Sequence, residues 1–130
     1  MSKSLNDVYD DLLILIYSKF LDIVKTSRVE KARGMRIIKI RIIFKDESFL
    51  DVIWGSSGKY SLHWERRHIN GTIYRYDNAP HWKNVSTFPN HFHDGSEKKV
   101  TPSYLPKDSL EALKRILEFI RSKILKERTR

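Results

Sequence analysis

The chain has 130 residues, a length for a single domain spanning 1–130, and its 40% apolar content supplies one core and argues against wholesale disorder. The lack of cysteine excludes disulfides, Cys-ligated zinc and a thiol nucleophile. With 25 Lys and Arg against 16 Asp and Glu, a formal net charge of +9, an acidic partner surface such as RNA or another nucleic acid is favoured over an acidic substrate.

The chain opens on an amphipathic helix. Ser4 followed by Asp7 resembles a capping box, and Leu5, Val8, Leu12, Leu15 or Ile16, Phe20 and Ile23 recur at helical spacing to about Lys25. Ile14, Tyr17 and Leu21 widen the apolar face, so this helix is expected to be covered on more than one side. Its apolar run, Leu12 to Ile16, is far short of the ~20 residues of a membrane span. Met1-Ser2-Lys3-Ser4 has no secretory pattern, so a cytoplasmic protein without a membrane partner is expected.

Thr26 to Gly34 reads as a basic connection. It begins the stretch 25–45, where Lys25, Arg28, Lys31, Arg33, Arg36, Lys39, Arg41 and Lys45 face Glu30 alone. The other excess lies in 121–130, whose Lys and Arg also suit a helix C-terminus. The 25–45 stretch is the expected nucleic-acid-binding patch, with Arg33, Arg36, Lys39 and Arg41 as its contacts.

Four strands follow. Met35 to Lys45 alternates, with Ile38, Ile40, Ile42 and Phe44 on one face and Lys39 and Arg41 on the other. Phe49 to Trp54, Tyr60 to Arg66 and Thr72 to Asp77 complete a meander, with turns at Asp46–Ser48, at Gly55–Gly58 and near Asn70-Gly71. Residues 78–104 show little periodicity and carry Pro80, Pro89 and Pro102, an unusually long loop for a compact domain. Asp108 and Glu111 open a last helix with Leu110, Leu113, Leu117, Ile120 and Ile124 as its buried stripe. The fold class is therefore α+β: a four-stranded antiparallel meander with the N-terminal and C-terminal helices packed on one face.

The segment 74–93 holds the chemistry. It reads Tyr-Arg-Tyr-Asp-Asn-Ala-Pro-His-Trp, then Thr-Phe-Pro-Asn-His-Phe-His at 87–93. Arg75, Asp77, Asn78, Ala79, Pro80 and His81, with Thr87, Phe88, Pro89, His91 and His93, resemble the paired motifs of the TumE-like family of toxins from two-gene toxin–antitoxin systems. The strand Tyr60-Ser61-Leu62-His63-Trp64 is similar to that family's Tyr-x-x-His-Trp. Trp82 and Asn90 stand where the family usually has His, and Phe92 where it has Lys. The resemblance spans about residues 35–125 and implies a toxin restrained by a cognate helix-turn-helix antitoxin.

Three readings of the polar residues stay open. His81, His91, His93, Arg75 and Asp77 form a candidate catalytic set for metal-independent RNA cleavage, with imidazoles as base and acid and the guanidinium on the phosphorane. The same histidines with Asp77 or Asp94 have the donor types of a divalent-metal site. Alternatively, Asp77 and Asn78 cap a turn and the imidazoles satisfy loop carbonyls. His63 and His68 read as sheet-surface or turn residues. Trp82, in the loop, is a candidate for stacking on an unpaired base.

The expected function is a toxin that acts on RNA as a ribonuclease without a cofactor. The alternative is a non-catalytic nucleic-acid-binding or partner-binding module, including a degenerate toxin; a homodimer is compatible with either. The enzymatic reading requires the three imidazoles and Arg75 to meet in one solvent-reachable hollow.

Overall fold

A computed structural model describes residues 5–31, 37–55 and 57–128. Helix α1 (Leu5–Leu15) runs into a π-helical turn (Ile16–Phe20), shorter than the helix to Lys25 that the spacing suggests. Strands β1 (Val24–Lys31), β2 (Ile37–Phe44), β3 (Phe49–Trp54) and β4 (Tyr60–Arg66) follow. A one-turn helix α2 (Arg67–Asn70) leads into β5 (Thr72–Asp77), then come β6 (His91–Gly95), β7 (Val100–Pro102) and α3 (Ser109–Arg128).

The class is α+β with an antiparallel meander, but among the described residues the sheet has seven strands in sequential order, not four. Two additions lie where loops were expected. β1 replaces the basic connection; it is an edge strand whose side chains are mostly exposed, so it carries no apolar alternation. β6 and β7 lie within the segment 78–104, too short and too rich in His, Gly and Pro to read as strands.

The alternating residues of the central strands divide between two faces. Ile40, Ile42, Leu50, Val52, Leu62, Trp64 and Tyr74 are buried in one cluster with Val8, Leu12, Leu15 and Ile16 of the N-terminal helix and Leu113, Ile116, Leu117 and Ile120 of α3. Both helices thus cover one sheet face, as the patterning predicts. Burying each such aliphatic side chain stabilises by about 1.5–3 kcal/mol. Phe119 meets Trp64, Tyr74 and Phe92 edge-on, with ring centroids 6.1, 5.2 and 6.0 Å away.

The N-terminal helix is covered on one side only. Ile14, Tyr17 and Leu21 are exposed, because the sheet and α3 occupy just the face marked by Val8, Leu12 and Phe20. α3 begins where expected: the Asp108 carboxylate accepts the Glu111 N–H at 3.1 Å.

Register decides what shares the other face. α2 and the left-handed Gly71 (φ 79°) join β4 to β5, so His63 stands opposite Arg75, not in the register of a two-residue Asn70-Gly71 turn. Arg75 in turn stands opposite His93, His63 opposite Asp51, and Asp51 opposite Arg41. Arg41, Asp51, His63, Arg75 and His93 therefore form a polar row across five strands on the face away from the helices.

Candidate functional site

The row ends in a cluster of four side chains. Asp77 closes β5 and pairs in register with His91, the first residue of β6. Its Oδ1 accepts the Ala79 N–H at 2.9 Å, an Asx-turn that starts the following loop. The same Oδ1 lies 3.0 Å from His91 Nε2, while Oδ2 accepts from Arg75 Nε at 2.9 Å. His93 Nε2 sits 3.2 Å from an Arg75 terminal nitrogen and 3.7 Å from Asp77 Oδ2.

The two imidazoles are held alike at Nδ1 and differ in what meets Nε2. Each presents Nδ1 to a main-chain carbonyl: His91 to Pro89 at 3.0 Å, His93 to Glu97 at 2.9 Å. With Nδ1–H donated, neutral His93 offers its Nε2 lone pair to Arg75. Burial pushes its pKa below the ordinary histidine value, and the nearby Arg75 charge adds to that, against the pull of the Glu97 carbonyl. His91 Nε2 instead meets the Asp77 carboxylate, so oxygen acceptors stand at both of its nitrogens.

Two further residues hold Arg75. His63 Nδ1 lies 3.1 Å from one terminal nitrogen, and its Nε2 lies 3.1 Å from Glu65. Glu97, in the β6–β7 turn, takes both terminal nitrogens at 2.8 and 2.6 Å. The alternation of Tyr60, Leu62 and Trp64 already placed His63 on the opposite face; its partner depended on the register. Glu97 carried no sequence signal, because turn residues follow no period.

Trp82 extends the cluster. Its ring lies 6.3 Å from that of His91 and 6.0 Å from that of His93. His91 and His93 are only 1% and 2% exposed, so the expectation of a solvent-reachable hollow is not met. The rings converge with Arg75 as expected, but they are buried, with their Nδ1 atoms on loop carbonyls as the turn-capping reading has it. His81 is exposed, and among the described residues its ring makes no contact with the cluster. Its loop turns at Ala79, whose carbonyl accepts the His81 N–H, and carries the ring to the surface.

The remaining candidates are placed as follows. Arg41 makes a two-point pair with Asp51 at 2.7 and 2.9 Å and lies over the Phe49 ring. Lys39 lies 3.4 Å from Glu30 and 3.7 Å from Asp51. Both are on the face of the cluster, three strands and so roughly 14 Å or more from Arg75, and both are paired with carboxylates. Arg33 and Arg36 lie outside the described residues. Asp94 points to the helix-bearing face and pairs with Lys99 at 3.5 Å, away from the imidazoles. Phe92 also lies on that face and packs on Tyr76 at 4.3 Å, so this departure from the family motif belongs to the core. Asn90 accepts the Tyr60 hydroxyl at 2.8 Å.

Asp77, His91 and His93 each offer one donor atom, all within 4.8 Å of one another, a set that suits a divalent ion. The Arg75 guanidinium already rests on Asp77 Oδ2 and His93 Nε2, so a metal there would have to displace a fixed positive charge. The residues fit a metal only with Arg75 withdrawn.

A seven-stranded α+β meander bearing a buried imidazole pair, a carboxylate and an arginine defines a protein whose polar machinery lies on the sheet face away from its helices. The chain matches the family described as Toxin TumE over residues 12–124, and it belongs to that family of toxins. No curated protein and no solved structure matches it significantly. Among the described residues no helix is long and apolar enough to cross a membrane.

Proposed function

We propose that this toxin acts on RNA as a metal-independent ribonuclease and is paired with a cognate antitoxin. The observation that carries the reading is the convergence of two imidazoles on Asp77 beside Arg75. Neutral His93 takes the proton of a ribose 2′-hydroxyl, whose oxygen attacks the adjacent phosphorus. His91 gives its proton to the departing 5′-oxygen, leaving a 2′,3′-cyclic phosphate, and Arg75 holds the non-bridging oxygens. Arg28, exposed opposite Arg41, and the basic stretch 25–45 hold the backbone. Because the rings are buried and not open in a hollow, cleavage requires Trp82 and its loop to move aside and Glu97 to yield the guanidinium. The test is cleavage of single-stranded RNA in the presence of a chelator. Wild type cleaves and His91→Ala and His93→Ala do not; an inert wild type whose toxicity survives loss of both histidines overturns the proposal.

A second reading is a toxin that binds RNA without cutting it. The burial of both rings and their bonds to main-chain oxygens favour it. It predicts salt-sensitive binding, with log affinity falling by about 0.7 per phosphate contact for each tenfold rise in salt, and no turnover in any variant, Trp82→Ala included.

A further inference from the structure

A cleft of about 840 Å³ lies beside the strand ends that carry Asp77 and His91. Its size lies within the ~300–1,000 Å³ of small-molecule sites. Asn78, directly after Asp77, and Asn90, directly before His91, are in its wall, and the segment leading into α3 lines it too.

The lining divides by chemistry. One wall is aromatic: Trp54 and Tyr60 are stacked with centroids 5.2 Å apart. Burial pushes the Tyr60 phenol up to about 12, so it stays a neutral donor, and its hydroxyl is held by Asn90. Also in the lining are Lys107 and Ser109, the latter the first residue of a 20-residue helix. Ser109 is 4% exposed, and among the described residues its Oγ has no hydrogen-bond partner. A buried hydroxyl without a partner in the first turn of a long helix, where backbone N–H groups point outward, is arranged to meet an acceptor from outside the chain. Asp108 is the acid of the lining, and its carboxylate is already engaged in capping the Glu111 N–H.

We infer that this cleft binds a nucleoside phosphate, with the base against the Trp54–Tyr60 wall and the phosphate on Ser109, Lys107 and the first turn of α3. The inference deepens the RNA reading and rests on it only for the source of the nucleotide. A base anchored here lies around the strand ends from Asp77 and His91 and would seat a nucleotide of the substrate chain next to the acid–base cluster.

The test is calorimetric titration of the full chain with adenosine 5′-monophosphate, with inorganic phosphate, and with a short single-stranded oligoribonucleotide. Adenosine monophosphate binds more tightly than phosphate alone. Ser109→Ala weakens it about tenfold while thermal stability is unchanged or higher, since the hydroxyl removed had no partner. Lys107→Gln, at an exposed site, weakens it and flattens its salt dependence. Competition by the oligoribonucleotide assigns the site to the RNA chain, and its absence assigns it to a free nucleotide; either supports the nucleoside-phosphate chemistry. No binding at millimolar ligand, or binding that neither variant alters, overturns the inference. His91→Ala separates this from the ribonuclease proposal, because it removes cleavage and leaves adenosine monophosphate binding intact.

Discussion

Glu97 grips Arg75 at two points, with oxygen–nitrogen distances of 2.8 and 2.6 Å, in the geometry a phosphate would use. The carboxylate is an internal competitor for the guanidinium on which the proposed chemistry depends. Arg75 holds the Glu97 carboxyl below the usual carboxylate range.

Glu97→Gln is accordingly expected to tighten RNA binding several-fold, read by fluorescence anisotropy at fixed salt. Because Glu97 is about half exposed, the stability lost should stay within ~1 kcal/mol. The pair stabilises fully above the ordinary carboxylate value of about 4.5 and less as pH falls through the lowered one. Unchanged affinity would show that Glu97 does not guard the site.

Asp77→Asn keeps an acceptor for the Ala79 N–H but removes the charge shared by Arg75 and His91. The expected loss is ~1–3 kcal/mol in urea unfolding, since a buried hydrogen-bonded ion loses its counter-charge. His81→Ala, at an exposed ring outside the cluster, should stay within ~0.5 kcal/mol. Equal effects at the two positions would contradict the placement described here.

His93 is buried and neutral, with its pKa lowered by burial. The unfolded chain takes up that proton first as pH drops, so the contribution of His93 to stability is complete above about 6.5 and declines as pH falls below that value. Unfolding free energies at pH 7.5, 6.5 and 5.5 should decline in that order, and His93→Gln should flatten the decline. A slope unaltered by the substitution would assign it to other groups.

Trp82→Ala uncovers both imidazoles. Trp82 is 39% exposed, so the stability cost is modest, whereas modification of histidine by diethyl pyrocarbonate should quicken severalfold at 91 and 93. Peptide mapping would show whether reactivity remains confined to the exposed His81 and His68, the outcome that rules out Trp82 as the cover.

The sheet was legible where alternation is strong. Ile40, Ile42, Leu50, Val52, Leu62 and Trp64 face a helix-covered core, and period two marks such strands. β1 was illegible because an edge strand with mostly exposed side chains has no buried face to print a pattern. His91, Phe92 and His93 also alternate, but β6 is short and follows a Pro-rich stretch, so its strand character comes from pairing with β5.

Sequence alone determined the inventory: a basic α+β chain, two terminal helices, and a run in which Arg75, Asp77, His91 and His93 are close in number and suited to acid–base work. Tertiary structure decided their relations. The helical turn Arg67–Asn70 set β5 so that Arg75 faces His63, the 78–90 loop returned His91 to the side of Asp77, and Trp82 came to rest near both rings. Side chains on neighbouring strands meet or miss according to register, and a slip of one residue sends a side chain through the sheet to the other face. Register is set by loop geometry and packing, which residue order constrains only through the folded whole.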